Sequence, residues 1–426
     1  MRTNNSLPSA SHSHDGHGNF APGTSSDPSL GRARREIGIG AATTQLEMMK
    51  PQSPRRLRVA QVITSVVMGG GGQVISAFSR HLDKSKFQMD VYCIIEGGEL
   101  VDYIRSQGFN VTVLPIFNQV GRLHYSPTQW LRLAKALRRG SYDVVHTHLY
   151  RADFVGGIAA LIAGRRHIVK TMHNMGTTKT KYQHAMDQLL HRIATRVVCV
   201  SETQRAHIMH IERCPNRKFE VIHNGVDLSR FDIDFDREKL AVGLGLDVSR
   251  PIVGTIGRLI EEKGHSYLLQ AIPLIAQRFP GIQFLLVGDG PLREELERQI
   301  RALRCMNVVI TGMRMDVPEL LGLMDVFVFP SVSEGLPIAL LEAMAAGVPV
   351  ACSDIPQLLE IVTHNKNAFV FPSEDWRGLA EAVCGLLGNT SLRSMLSLGA
   401  RAIVEAEFSE SSMIRAYEQL YSECAL

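Results

Sequence analysis

From Arg58 onward the chain alternates short apolar runs rich in β-branched residues with stretches of helical period, and this alternation restricts the fold more than any other feature. RVAQVIT, MDVYCII, VTVLP, YDVVHTH, HIVKTMH, RVVCVS and FEVIHN form a first series. After a predicted linker from about Asp227 to Arg250, PIVGTIG, IQFLLVGDG, NVVITG, DVFVFPS, VPVACSD and NAFVF form a second. Strands that alternate with helices pair in parallel, because the crossover helices must cover both faces of the sheet. Two such series in tandem predict an α/β protein of two Rossmann-like domains facing a central cleft, with ligands at the carboxyl ends of the strands. A chain of 426 residues has the length for two domains.

Composition narrows the functional classes. Apolar residues make up 45% and charged ones 21%, an ordinary soluble balance, and a net charge of +4 is too small to argue for a nucleic-acid partner. The apolar runs fall short of the roughly 20 residues that span a bilayer: VGGIAALIAG is too short, and LPIALLEAMAAGVPVA carries a glutamate and two prolines. A soluble or at most peripheral protein is expected. The seven cysteines include no C-x-x-C pair, and Cys93, Cys199 and Cys352 sit in strand-like runs. They are expected to be buried free thiols in a reducing cytoplasm. Residues 1–54, rich in Ser, Gly, Asn, Pro and His, lack apolar periodicity and the hydrophobic region of a signal peptide, so a disordered tail is expected there. His12, His14 and His17 have no fixed scaffold for a metal, and Met48 or Met49 could be the true start.

The richest stretch is Pro330 to Pro349, PSVSEGLPIALLEAMAAGVP, directly after the run VFVFP. A buried strand ends here, a loop turns on Gly335, and a helix is predicted to begin at Pro337, where proline fits the first helical position. The N–H groups of Ile338 and Ala339 would then lie in the unpaired first turn, which favours an anion. Glu334 stands just before this helix and Glu342 in its second turn. Carboxylates that touched a bound phosphate would repel it, so sugar hydroxyls are their better partners. A nucleotide sugar offers both groups.

Other strand ends carry candidates of their own. Met68 to Gln73, MGGGGQ, opens the first helix, and its glycines Gly71 and Gly72 allow close backbone approach to a ligand or simple flexibility. The spacing does not match G-x-G-x-x-G, which disfavours a dinucleotide. His146, His148 and His173 end strands, where a side chain can point into a cleft or pack as an ordinary core residue. Gly257-Arg258-Leu259 follows the strand IVGTI, and Lys263 comes five residues after the arginine. Two cations on one loop suit a diphosphate leaving group, although pairing with Glu261 and Glu262 is an alternative.

E-G-L-P-x-x-x-x-E (Glu334 to Glu342) resembles the paired-glutamate signature of retaining GT-B glycosyltransferases, in particular glycosyltransferase family 4. G-R-L-x-x-E-K-G (Gly257 to Gly264), HNGVD (His223 to Asp227) and GDGP (Gly288 to Pro291) carry the same likeness, which covers about residues 57 to 420. The resemblance implies retaining transfer of a sugar from a nucleotide diphosphate to a glycan or lipid-linked acceptor, with the nucleotide sugar as co-substrate and no metal or other cofactor. It implies catalytic roles for His173, Arg258, Lys263 and Glu334, with His173 against the donor sugar. It assigns donor contacts to Gly71, Gly72, Gly257, Gly312, Met313, Arg314, Gly335, Leu336, Ile338 and Glu342, with Thr311 to Arg314 against the base. Relatives commonly carry an acidic residue where this chain has Gln73. The domains implied are a tail over 1–54, an acceptor-side domain over 55–227, a donor-side domain over 228–407, and over 408–426 a terminal helix crossing back, with Met413, Ala416, Tyr417 and Leu420 on one face. A nucleotide-sugar epimerase and a non-catalytic two-domain binding module are the alternatives.

Two weaker signals complete the reading. Asp232-Ile-Asp234-Phe-Asp236 contains D-x-D, a metal motif in another glycosyltransferase fold, but it lies in the predicted linker. In QWLRLAKALRRG the residues Trp130, Leu133 and Leu137 share one helical face, and Arg132, Lys135 and Arg139 the other. Such a basic face is merely solvated, or docks on anionic lipid at the inner face of the membrane.

Overall fold

A computed structural model describes residues 55–67, 69–117, 126–173, 181–212, 216–303 and 307–426. The expected tail, with His12, His14, His17, Met48 and Met49, lies outside the described residues, as does Met68. The first strand series forms β1 (Leu57–Ile63), β2 (Phe87–Cys93), β3 (Asn110–Val113), β4 (Val144–His148), β5 (Ile168–Met172), β6 (Arg196–Cys199) and β7 (Phe219–Val221). These pair in the order β3-β2-β1-β4-β5-β6-β7, every pair parallel. The second series forms β8 (Ile252–Ile256), β9 (Gln283–Val287), β10 (Val308–Ile310), β11 (Val326–Phe329), β12 (Val350–Ser353) and β13 (Phe369–Phe371), in the order β10-β9-β8-β11-β12-β13, again all parallel.

Strand periodicity explains the layers. Along β1, Val59 and Ile63 enter one apolar cluster and Ala60 and Val62 another, so both faces of the sheet are covered. Along β11, Phe327 and Phe329 face one cluster while Val326 and Val328 face the other. In each sheet the strand order reverses once, between β1 and β4 and between β8 and β11. Loops leaving the carboxyl ends at such a reversal diverge to opposite faces and open a crevice. The glycine loop follows β1, Arg258 follows β8 and Glu334 follows β11.

Three local expectations are corrected. The predicted linker holds a 3₁₀ turn, Leu228–Arg230, and an α-helix, Arg237–Gly243, whose Ala241 is buried in the second core. Asp236 caps that helix by accepting from the Lys239 N–H at 2.9 Å; its two turns are too short to show a period. Gly70 to Gly72 form the first turn of the helix Gly70–His81 rather than a free loop. A Cβ at Gly72 would stand 1.9 Å from the Val67 carbonyl oxygen, so only glycine lets the strand-to-helix turn close. Pro337 is the cap of the helix Ile338–Ala345, one position earlier than expected, since its ψ of 114° is extended.

The terminal helix Glu410–Ala425 packs against the first sheet. Its Met413, Ile414, Tyr417, Leu420 and Tyr421 share a core with Ile63, Phe78 and Val91. The two crossings between the sheets run side by side: Val226 N–H donates to the Phe408 carbonyl at 2.8 Å and Glu410 N–H to the Val226 carbonyl at 3.2 Å. Cys93, Cys199, Cys352, Cys384 and Cys424 are buried, and no disulfide joins them among the described residues.

Candidate active site

The two crevices face each other across one cleft. His173, Gly257, Arg258, Lys263, Met313, Arg314, Glu334, Gly335, Leu336, Ile338 and Glu342, all singled out in the sequence, line it together with Gly69, Gly70 and Gln73. Gly71, Gly72 and Gly312 are not on its wall. A Cβ at Gly71 would press on Ile63 Cδ1 at 3.3 Å and touch His173 Nε2 at an ordinary 3.7 Å, and Gly312 turns the chain at φ +75°.

The cations are held in contrasting ways. Lys263 Nζ donates to Glu334 Oε1 at 2.6 Å and lies 5.3 Å from the Phe329 ring centroid, in a partly buried setting that strengthens the pair. Neither Glu261 nor Glu262 takes it. Arg258 is exposed, and its guanidinium has no hydrogen-bond or ion-pair partner among the described residues. Its loop is anchored from behind, where His265 donates from Nε2 to the Arg258 carbonyl at 3.1 Å. His265 had drawn no notice in the sequence, because a histidine at a helix start has no distinctive spacing. Ile338 and Ala339 complete this wall at the start of their helix, where first-turn N–H groups lack intrahelical acceptors.

Glu342 is only 3% exposed. Burial raises its carboxyl to about 7, with Arg230 opposing the rise from 3.6 Å. Gln73 Nε2 donates to Glu342 Oε1 at 3.3 Å. The amide at 73 thus supplies the buried carboxyl with a donor that a carboxylate there would lack. Arg230 was missed because it lies in the predicted linker.

The strand-end histidines divide by depth. His146 and His148 are fully buried within β4, while His173, one residue past β5, reaches the cleft. Burial lowers His173 to about 4 and both others well below the ordinary imidazole value. His265 is lowered to about 4 by burial as well. All four remain neutral in the fold, yet in the unfolded chain they take up protons below about pH 6.5. Their stabilisation is therefore complete above pH 6.5 and lost as pH falls towards 4. Asp153, raised to about 6 by burial, and Glu342 act in the opposite sense, losing stability as pH rises through 6 to 7. Four imidazoles against two carboxyls predict a falling melting temperature between pH 6.5 and 5. Calorimetry across that range checks this, and a flat or rising profile would count against neutral buried imidazoles.

The aspartates of this stretch are dispersed: Asp232 accepts from Arg401 at 2.7 Å, Asp236 is the helix cap already described, and Asp234 is exposed. Among the described residues no three His, Cys, Asp or Glu side chains are grouped to hold a metal, and no helix is long and apolar enough to cross a membrane.

Comparison with known proteins agrees with this geometry. Residues 68–230 match the family described as "Glycosyltransferase Family 4" and residues 250–389 that described as "Glycosyl transferases group 1". The chain is 30% identical over 313 residues, 70% of its length and 79% of the relative's, to the putative glycosyltransferase EpsF of Bacillus subtilis. It is 28% identical over 311 residues, 70% of its length and 80% of the relative's, to the UDP-Gal:alpha-D-GlcNAc-diphosphoundecaprenol alpha-1,3-galactosyltransferase of Escherichia coli. The fold is similar to that of Anabaena HepE, solved with UDP and glucose, at a TM-score of 0.76 and 22% identity over 86% of this chain and 100% of that one. Sucrose-phosphate synthase from Thermosynechococcus elongatus matches at a TM-score of 0.70 and 20% identity over 86% and 99%. With its two facing parallel sheets and a cleft built from their strand ends, the chain belongs to glycosyltransferase family 4, with the GT-B fold.

Proposed function

We propose that this glycosyltransferase moves a hexose from a nucleotide-diphosphate sugar to a hydroxyl of a glycan or lipid-linked saccharide, with retention of configuration and without a metal cofactor. The observation that carries this reading is Arg258, a guanidinium on the cleft wall with no partner among the described residues, on the same wall as Lys263 and the first-turn N–H groups of Ile338 and Ala339. Those groups would neutralise the diphosphate as it departs. The UDP and glucose bound to HepE, and the diphosphoundecaprenol acceptor in the name of the Escherichia coli relative, support the substrate classes.

In the proposed reaction the bond from the anomeric carbon to the diphosphate oxygen breaks through an oxocarbenium-like state, and the acceptor oxygen attacks from the same face. The departing phosphate oxygen takes the acceptor's proton. Arg258 and Lys263 stabilise the leaving group, Glu334 and His173 hold the donor sugar, and Glu342 accepts from the ribose hydroxyls. Met313 lies against the base, and Arg314 is held beside it by Asp316, which accepts from Nε at 2.7 Å. Gly257, Gly335, Leu336 and Ile338 shape the donor seat from its wall, and Gly71, Gly72 and Gly312 stand behind it. The helix Pro127–Gly140 exposes Leu131, Arg132, Lys135, Arg138 and Arg139, a face suited to peripheral contact with anionic lipid on the cytoplasmic side.

An α-linked donor should give an α-linked product. Proton NMR of the product decides the matter, because a β anomeric coupling from a gluco- or galacto-configured donor excludes retention. Release of free sugar at an equal rate without acceptor would point to the epimerase alternative instead.

A further inference from the structure

Behind the cleft runs a line of polar side chains to which the proposed reaction assigns no part. His148 Nδ1 lies 3.0 Å from His173 Nε2, and His148 Nε2 lies 2.8 Å from Gln61 Oε1. Gln61 Nε2 donates to the Tyr421 hydroxyl at 3.0 Å, that hydroxyl lies 2.6 Å from His146 Nδ1, and His146 Nε2 lies 2.7 Å from Thr171 Oγ1. Every member beyond His173 is 0% exposed. So many polar atoms are tolerated away from water only when each has its partner, and donors and acceptors must therefore match along the whole line.

That matching sets a direction. An amide oxygen can only accept, so His148 carries its hydrogen on Nε2. Burial keeps the imidazoles neutral, which leaves His148 Nδ1 bare to accept from His173 Nε2–H. His173 Nδ1 is then a bare acceptor, buried in the cleft wall without a partner among the described residues, so that a ligand must displace its cover to supply one. On the other side Tyr421, having accepted from the amide, gives its own hydrogen to His146 Nδ1, and His146 Nε2–H reaches Thr171. Turning the Gln61 amide over would reverse every bond from His146 to His173 and place the hydrogen of His173 on Nδ1. The sense of the line thus decides whether His173 presents an acceptor or a donor.

We propose that Gln61, His148 and Tyr421 are positioning residues that fix His173 as the Nε2–H tautomer, so that its bare Nδ1 accepts a hydrogen bond from a hydroxyl of the donor sugar. The inference rests on the transfer reading for the identity of that ligand. It gives the terminal helix Glu410–Ala425 a second task besides packing, since its Tyr421 hydroxyl orients a cleft residue by way of β1 and β4.

The test is long-range proton–nitrogen NMR of the histidine side chains in uniformly ¹⁵N-labelled full-length protein, with His173 assigned from its loss in His173→Gln. The parent should show His173 protonated at Nε2 alone. Tyr421→Phe keeps the ring that fills the core, and His148→Leu removes the acceptor. Each should give a mixture of His173 tautomers and about a tenfold loss of turnover with a nucleotide sugar, the effect of one misdirected hydrogen bond. His148→Asn, whose side-chain oxygen can stand where Nδ1 stood, should recover most of both. A His173 protonated at Nδ1 in the parent, or a tautomer that Tyr421→Phe and His148→Leu leave unchanged in folded protein, would overturn the proposal. Because the spectrum needs no substrate, an intact tautomer pattern without turnover of any nucleotide sugar would instead reject the transfer reading and leave the tautomer assignment standing.

Discussion

Replacing Arg258 by alanine is expected to lower turnover about a hundred- to a thousand-fold, the range for removal of one preorganised electrostatic group, while the Michaelis constant for the donor moves much less. Charge on the diphosphate grows as the glycosidic bond breaks, so a fixed guanidinium binds the transition state better than the bound donor. Arg258 is free to do this because no carboxylate among the described residues neutralises it, and His265 anchors its loop by the backbone rather than the side chain. Lys263→Ala should act in the same direction but raise the Michaelis constant as well, since it also strips Glu334 of a partner at 2.6 Å. Steady-state kinetics with both substrates saturating, beside circular dichroism to confirm folding, measure the split. Near-normal turnover in folded Arg258→Ala would move the phosphate seat elsewhere.

Much of this was legible in the residues, and the reason is local. A strand that is apolar on both faces declares itself by run length, and the next few residues, being loop, carry whatever chemistry the strand delivers. Arg258 after IVGTI and Glu334 after VFVF were found that way. Glu342 was found by its spacing on a helix that proline and glycine delimit. What escaped depends on approach between distant segments. The surroundings of Glu342 come from Gln73 in the first helix and Arg230 in a stretch without periodicity, and only packing brings them within 3.3 and 3.6 Å. The histidines show the same limit more finely. His148 and His173 end similar runs, yet β4 keeps pairing with β1 and β5 through His148, whereas β5 stops at Met172. One residue of strand length separates a side chain sealed in the core from one that lines the cleft.

Gly335→Ala is expected to cost about a hundredfold in turnover without unfolding the protein. Gly335 belongs to the loop after β11, yet its closest neighbour is in the other half of the molecule: a Cβ built there would stand 2.5 Å from the His173 carbonyl oxygen and 3.3 Å from Val200 Cγ2. Both obstacles are fixed, the first by backbone and the second by a fully buried side chain, so close-packed surroundings leave the new methyl group no rotamer to escape into. Gly335 does not hold a left-handed backbone conformation, hence alanine brings no strain of its own there and the whole effect is steric. The walls must part by roughly 1 Å, which carries His173 away from Glu334 and Lys263, and a misplacement of that size is enough for about a hundredfold loss of rate. The groups proposed to face the phosphates, Arg258, Lys263, Ile338 and Ala339, all belong to the half built on the second sheet, so binding of a nucleoside diphosphate alone, measured by calorimetry, should stay within a few-fold of the parent. Turnover within a few-fold of normal would mean that the contact between Gly335 and His173 is not kept during catalysis. Loss of diphosphate binding together with turnover would mean instead that the donor seat spans both sheets.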